Sequence, residues 1–242
     1  MAKFISVAQL KGGAGKSTIV TNLVGALSRE FRTGLIDADL PQATSARWAG
    51  LRQAAGDEFP EITVALADSV ADLAREAERL EDLCDVVVID LPPRSLKFLR
   101  EIMPYTDLVV MPLSASPADV WSTEQLMDAV REGKKTSKRL KARLVWNRLR
   151  ASKATNQFLA EVGEALRAKE LQSHLASRTA YVEALGRGLT VLEWSDPKAR
   201  AGLKCSADLL VNESYALALV AIRRCLERFP CLCLPLCPSL FW

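Results

Sequence analysis

The sequence is poor in histidine. His174 is the only one in 242 residues, and it has no second histidine or cysteine at ligand spacing, so it is expected to be structural or exposed rather than part of a metal centre. Long apolar runs are also missing: no uncharged stretch approaches the roughly 18 residues that a spanning helix needs. The N-terminus carries one lysine and then mixed polar and apolar residues, without the apolar core of a secretory signal. A cytoplasmic protein is expected. In that compartment the six cysteines should be reduced thiols, with Cys84 and Cys205 in patterns typical of packed elements.

Excess charge is scarce too, at a net +3, but it is unevenly spread. Between Arg131 and Lys153 ten basic residues face one acid, Glu132, so this segment is +9 and the rest of the chain −6. Such asymmetry points either to an acidic polymer as partner or to a solvated helix end and loop. With 49% hydrophobic residues the chain is long enough to form a single α/β domain, placed at 1–229.

The most informative stretch is Lys11-Gly12-Gly13-Ala14-Gly15-Lys16-Ser17-Thr18. It follows an apolar strand, Phe4 to Leu10, and precedes a helical pattern from Lys16 to Arg29. A strand feeding a glycine-rich bend and a helix aims backbone N–H groups and a helix N-terminus at one spot, which is how a chain holds phosphate. Lys16 can reach the β and γ phosphates of a nucleotide, and Ser17 offers a hydroxyl to Mg²⁺.

Further strands end in chemistry. Thr33 to Asp37 leads into Asp37-Ala38-Asp39, two carboxylates two residues apart that project from one side of an extended chain. They either serve the phosphate site or cap the next helix. Helix is expected over Thr44 to Ala55 and strand over Ile62 to Leu66. Ser69 and Asp72 form a capping-box-like helix start. Asp85 to Asp90 is a β-branched run suited to a buried parallel strand, and Asp90 at its end is placed to hold Mg²⁺ through a bound water. After the strand Asp107 to Leu113, Ser116-Pro117 begins a helix with serine as N-cap; helix capping accounts for Pro112 to Asp119, which is assigned no catalytic part. The strand Arg143 to Asn147 ends in an amide that either forms a turn or meets a base edge. A helix over Ala154 to Ala168 and a weak strand over Leu171 to Leu175 follow.

The loop K-G-G-x-G-K-S lacks the first glycine of the general phosphate loop, with Leu10 in that place, and adds Lys11. In this it resembles the deviant Walker A motif of the ParA/MinD ATPases. Asp37-Ala38-Asp39-Leu40-Pro41-Gln42 resembles their D-x-D-P-Q segment with Leu40 inserted, Asp90-Leu91-Pro92-Pro93 their D-x-P-P, and Pro112 to Asp119 their P-x-x-x-S-P-x-D. The resemblance covers Lys3 to Phe229. It implies a doubly wound, mostly parallel sheet flanked by helices, an ATPase using ATP and Mg²⁺, and a homodimer in which Lys11 reaches the partner's nucleotide. It further implies Asp37 and Asp39 positioning water and the magnesium shell, and Asn147 at adenine.

For partition ATPases of this family the resemblance also implies nonspecific DNA binding through late basic residues, here Arg178, Arg200, Lys204, Arg223 and Arg224, each equally readable as surface charge. A centromere-binding partner of ParB type or another cargo adaptor, and a place on the bacterial nucleoid, complete that reading. A long helix is expected from Asp196 to Phe229. The tail 230–242 has no charge and three prolines. It lacks the cationic face of a membrane-binding helix, which argues against a MinD-like membrane protein, and Cys231, Cys233 and Cys237 fit no standard zinc spacing. An iron–sulfur carrier would need cysteines within the body of the fold, and a metabolic phosphate-loop enzyme a substrate pocket that the sequence does not reveal.

Overall fold

A computed structural model describes residues 1–201 except 57, 95, 151, 167, 168, 172, 173 and 199. Six strands form one parallel sheet: β1 Lys3–Val7, β2 Thr33–Asp37, β3 Ile62–Leu66, β4 Val86–Asp90, β5 Leu108–Leu113 and β6 Lys141–Trp146, in spatial order β3-β2-β4-β1-β5-β6. The helices among the described residues are α1 Lys16–Leu27, α2 Thr44–Ala54, α3 Val70–Leu83, α4 Leu96–Ile102, α5 Pro117–Thr136, α6 Lys153–Leu166 and α7 Ala180–Leu185. Parallel strands need crossovers, and helices supply them here, which is why the strands read as continuous apolar runs buried on both faces.

Side chains alternate between two cores. Ile5, Val7, Val88 and Val110 face α1, α2 and α7, where Val20, Leu23, Trp48 and Tyr181 pack. Phe4, Val87, Ile89 and Met111 face the other way, toward Leu73 and Leu80 of α3, Leu99 of α4 and Leu126 of α5. Two helical layers thus enclose the sheet, as expected of a doubly wound fold. From β1 the chain passes over β4 to β2, and later returns across β1 to β5. Strand order therefore reverses beside β1, the place where open parallel sheets bind ligands.

Several boundaries differ from the sequence expectation, for local reasons. β1 stops at Val7, not Leu10: Ala8 N still donates to Val110 O of β5, but Leu10 N turns away to the Gln9 side chain. Of the expected strand Leu171 to Leu175, residues 172 and 173 lie outside the described residues; its flanks make isolated parallel bridges, Glu170 to Leu144 of β6 and Ala176 to Leu149 just beyond β6. Ser69 caps α3 as expected, its hydroxyl accepting from Asp72 N at 3.1 Å. Ser116 holds the N-cap position of α5 without a side-chain bond, which corrects the hydroxyl cap inferred from sequence. Asp196 Oδ1 accepts from Lys198 N, as a helix N-cap does; the part of that expected helix beyond residue 201, with Cys205 and the tail, lies outside the described residues.

A clamp ties α2 to the segment 188–194. Arg52, 1% exposed, donates to both carboxylate oxygens of Glu193 at 2.9 and 2.7 Å and to Gly188 O. Its guanidinium lies over the rings of Phe59 and Trp48, and Trp48 Nε1 donates to Leu189 O. Gly188 has φ +71°, and a Cβ there would stand 2.6 Å from Arg52 N. Only glycine allows the two segments so close.

Candidate functional site

Register brings three strand ends to one line. Val7 of β1 stands opposite Asp90 of β4, and Asp90 opposite Asp37 of β2, so both acids border the loop that leaves β1. Gly13 and Gly15 have φ +77° and +93°. Gly15 opens α1 from a left-handed conformation, and a Cβ on it would lie 2.1 Å from Asn147 Nδ2. The bend thus needs glycine twice over.

Side chains outside the motif fix the loop. Asn147, at the end of β6, donates from Nδ2 to Ala14 O at 2.9 Å and accepts at Oδ1 from Arg148 N. Gln9, 1% exposed, donates to Pro112 O and Thr123 Oγ1, while its Oε1 accepts from Leu10 N and Ser122 Oγ. Thr18 O accepts from Asn22 Nδ2, and Asn22 Oδ1 takes Val191 N. Sequence reasoning passed over Gln9; the only sign was a polar residue among apolar ones just ahead of the glycines.

Lys16 is 5% exposed. Burial lowers its pKa, while Asp90 and Asp39 raise it. Asp90 is fully buried, and desolvation pushes its pKa up to about 7, with Asp37 adding to the rise and Ser45, Ser17 and Lys16 opposing it. Its Oδ2 accepts from Ser45 Oγ at 2.5 Å. Its Oδ1 has no hydrogen-bond partner among the described residues. A buried carboxylate oxygen left open beside the Ser17 hydroxyl is the donor set that a hard cation bridging phosphates takes, so these residues fit Mg²⁺.

The two acids at and just after the end of β2, Asp37 and Asp39, divide their work. Asp37 spends both oxygens on backbone: Oδ1 accepts from Asp39 N and Oδ2 from Ala46 N. It shapes the turn and the start of α2, the capping alternative of the sequence. Asp39 is part-buried, its pKa raised by burial and by Asp37 against the pull of Lys16. Gln42 is exposed in the turn. Ser45, one turn further, gave no sequence signal, because nothing local shows that it faces β4.

Lys11 sits on the other side of the loop. Its Nζ lies 2.5 Å from Asp119 Oδ1 in the first turn of α5, and Asp119 Oδ2 accepts from Ser114 N and Oγ at 2.9 and 2.6 Å. Burial acts to raise the Asp119 pKa, yet Lys11 and Ser114 together hold it below the ordinary carboxylate value. The capping account of Pro112 to Asp119 is therefore incomplete. Asp119 faces the loop.

A cavity of about 520 Å³ adjoins the loop's end, bounded by Thr18, Asn147, Arg148, Arg150, Ser177 and Arg178. The basic run of the sequence does not form a single face: Arg148 and Arg150 line this cavity, Arg143 is 8% exposed, and Arg131 pairs with Asp128. Of the late basic candidates, Arg178 pairs with Asp196 and Arg200 donates to Trp194 O. Lys204, Arg223 and Arg224 lie outside the described residues. No helix among those residues is long and apolar enough to cross a membrane.

Comparison with known proteins agrees with this geometry. Residues 5–191 match the family model "CobQ/CobB/MinD/ParA nucleotide binding domain". The chain is 30% identical over 190 residues to maintenance of carboxysome distribution protein A of Halothiobacillus neapolitanus, covering 78% of this chain and 86% of that protein. Its fold is similar to an ATP complex of McdA from Cyanothece, with TM-score 0.68 and 20% identity over 86% of this chain and 96% of the other. It is also similar to the MinC:MinD cell division complex of Aquifex aeolicus, with TM-score 0.72 and 16% identity over 89% and 98%.

Proposed function

This chain belongs to the CobQ/CobB/MinD/ParA nucleotide-binding family, and from that premise we propose that it is a Mg²⁺-dependent ATPase that dimerises around ATP, binds DNA without sequence preference and positions a cellular cargo. The observation that carries the reading is the pair of loop lysines. Lys16 is buried among Asp39 and Asp90, where it can only serve its own subunit's phosphates. Lys11, paired with Asp119 but with a side chain 43% exposed, stands outside that cradle, where its stem can swing toward a neighbour. The relative from Halothiobacillus neapolitanus, with its part in carboxysome distribution, supports a positioning role and makes a protein body as fitting a cargo as a plasmid.

In this mechanism the amides of Gly12 to Thr18 and the Lys16 ammonium neutralise phosphate charge as it shifts toward the leaving group. Ser17 and Asp90 would hold Mg²⁺, which when bound neutralises the β and γ oxygens. Asp39, the acid that keeps its carboxylate off the backbone, orients the attacking water. The cavity beside Asn147 takes the base, with Asn147 and Arg148 at its wall. Lys11 completes the partner's site, so fuel and pairing become one event. A ParB-type or other adaptor protein would link the ATP dimer to its cargo.

A mobility-shift assay on arbitrary duplex DNA tests this, with ATP, ADP and no nucleotide, for wild type and Lys11→Ala. ATP-dependent binding that the variant loses, and that weakens steeply with salt, is the expected result. Equal binding in all three nucleotide states would overturn the switch. Binding to anionic liposomes in place of DNA would point to a membrane-positioning ATPase.

A further inference from the structure

We propose that Asp119 is a positioning residue that holds Lys11 within its own subunit and thereby sets how strongly dimerisation discriminates ATP from ADP. This rests on the dimer reading above. Lys11 Nζ meets Asp119 Oδ1 at 2.5 Å, and the Asp119 side chain is only 2% exposed. Ser114 N and Oγ occupy the other oxygen, so Lys11 is the one cation paired with this carboxylate among the described residues.

The carboxylate cannot follow the lysine outward. Asp119 O accepts from Ser122 Oγ and Thr123 Oγ1, and those same hydroxyls are tied to Gln9 at the foot of the loop. Lys11 and Asp119 therefore hang from one rigid frame, with only the lysine stem able to swing. A cavity of about 170 Å³ bounded by Lys11, Gly12, Gly13, Ser114, Asp119 and Arg148 leaves room beside it.

When Lys11 leaves for a partner's nucleotide, a buried carboxylate loses its counter-charge, which is strongly unfavourable. A two-fold dimer incurs that cost twice. Only a ligand with enough negative charge at the far end draws both lysines out. A γ-phosphate supplies that charge and ADP does not.

Sedimentation velocity of the full chain with a non-hydrolysable ATP analogue or ADP tests the proposal. Asp119→Asn keeps an oxygen for Ser114 and removes the charge. It is expected to tighten the analogue-bound dimer by roughly a hundredfold or more, since two buried carboxylates per dimer no longer lose a counter-charge, a cost moderated by the half-exposed lysine end of each pair, and to make an ADP dimer detectable. Lys11→Gln with Asp119→Asn should stay monomeric, an outcome that a merely structural role for Asp119 does not require. Asp119→Ser gives the same readout should the amide not fold. A wild type that dimerises with the analogue while both Asp119 variants dimerise no better would overturn the proposal, as would tightening that persists without Lys11. A wild type that remains monomeric would overturn the dimer reading itself.

Discussion

Two carboxylates, the buried Asp90 beside the phosphate loop and the part-buried Glu193 in the clamp below α2, meet opposite surroundings. Glu193, 10% exposed, is fully supplied: Arg52 and Arg29 pair with it and Thr190 N donates to it at 2.7 Å. Burial acts to raise its pKa, but those donors win and hold it at about 2. Asp90 has one hydroxyl on Oδ2 and an open Oδ1, and burial dominates. Glu193 is satisfied by its own fold; Asp90 is left with an open oxygen, which under the proposed function a bound ion completes.

The comparison breaks most visibly at the clamp. Glu193→Gln leaves Arg52 buried without its counter-charge and should cost roughly 3 kcal/mol, read as a shift in the urea unfolding midpoint with unchanged m. Asp90→Asn should act in the reverse sense. With neither nucleotide nor Mg²⁺ it should raise the melting temperature, because an ill-solvated charge is removed, while ATP hydrolysis falls roughly hundredfold. A melting temperature that drops would show that Asp90 is as well satisfied as Glu193.

Ser45→Ala sharpens the contrast more gently. It takes away the donor that holds Asp90 Oδ2 and should raise the Mg²⁺ concentration for half-maximal hydrolysis about tenfold, with little change at saturating metal. The clamp also sets a pH dependence, spread over the acid range. The Glu193 pKa is depressed from its ordinary 4.5 to about 2, so its contribution to stability is present above pH 4.5 and is lost as pH falls toward 2. Acid unfolding monitored by circular dichroism should show that loss in wild type, and Glu193→Gln should flatten it.

How much of this was readable beforehand differs between the two regions. The loop from Lys11 to Thr18 and the strand-end acids Asp37 and Asp90 stood out because phosphate binding writes itself in consecutive residues and in strand punctuation. The clamp left no trace, because Arg52 on an otherwise amphipathic helix looks like any solvated arginine until Gly188 and Glu193 close over it. Gln9, Ser45 and Asp119 are of the same kind. Each works through a partner at least 45 residues away or on another element, and local pattern carries no information on such pairs.

The sequence by itself determined the parallel sheet and the spot where phosphate would sit, since both follow from short-range rules: the period of apolar residues, the freedom of glycine and the chemistry at strand ends. Tertiary structure alone decided which acids are neutralised and which are left open, and that Lys11 rests against Asp119. Those outcomes depend on distance and dielectric between elements that only folding brings together, and a linear order of residues specifies neither.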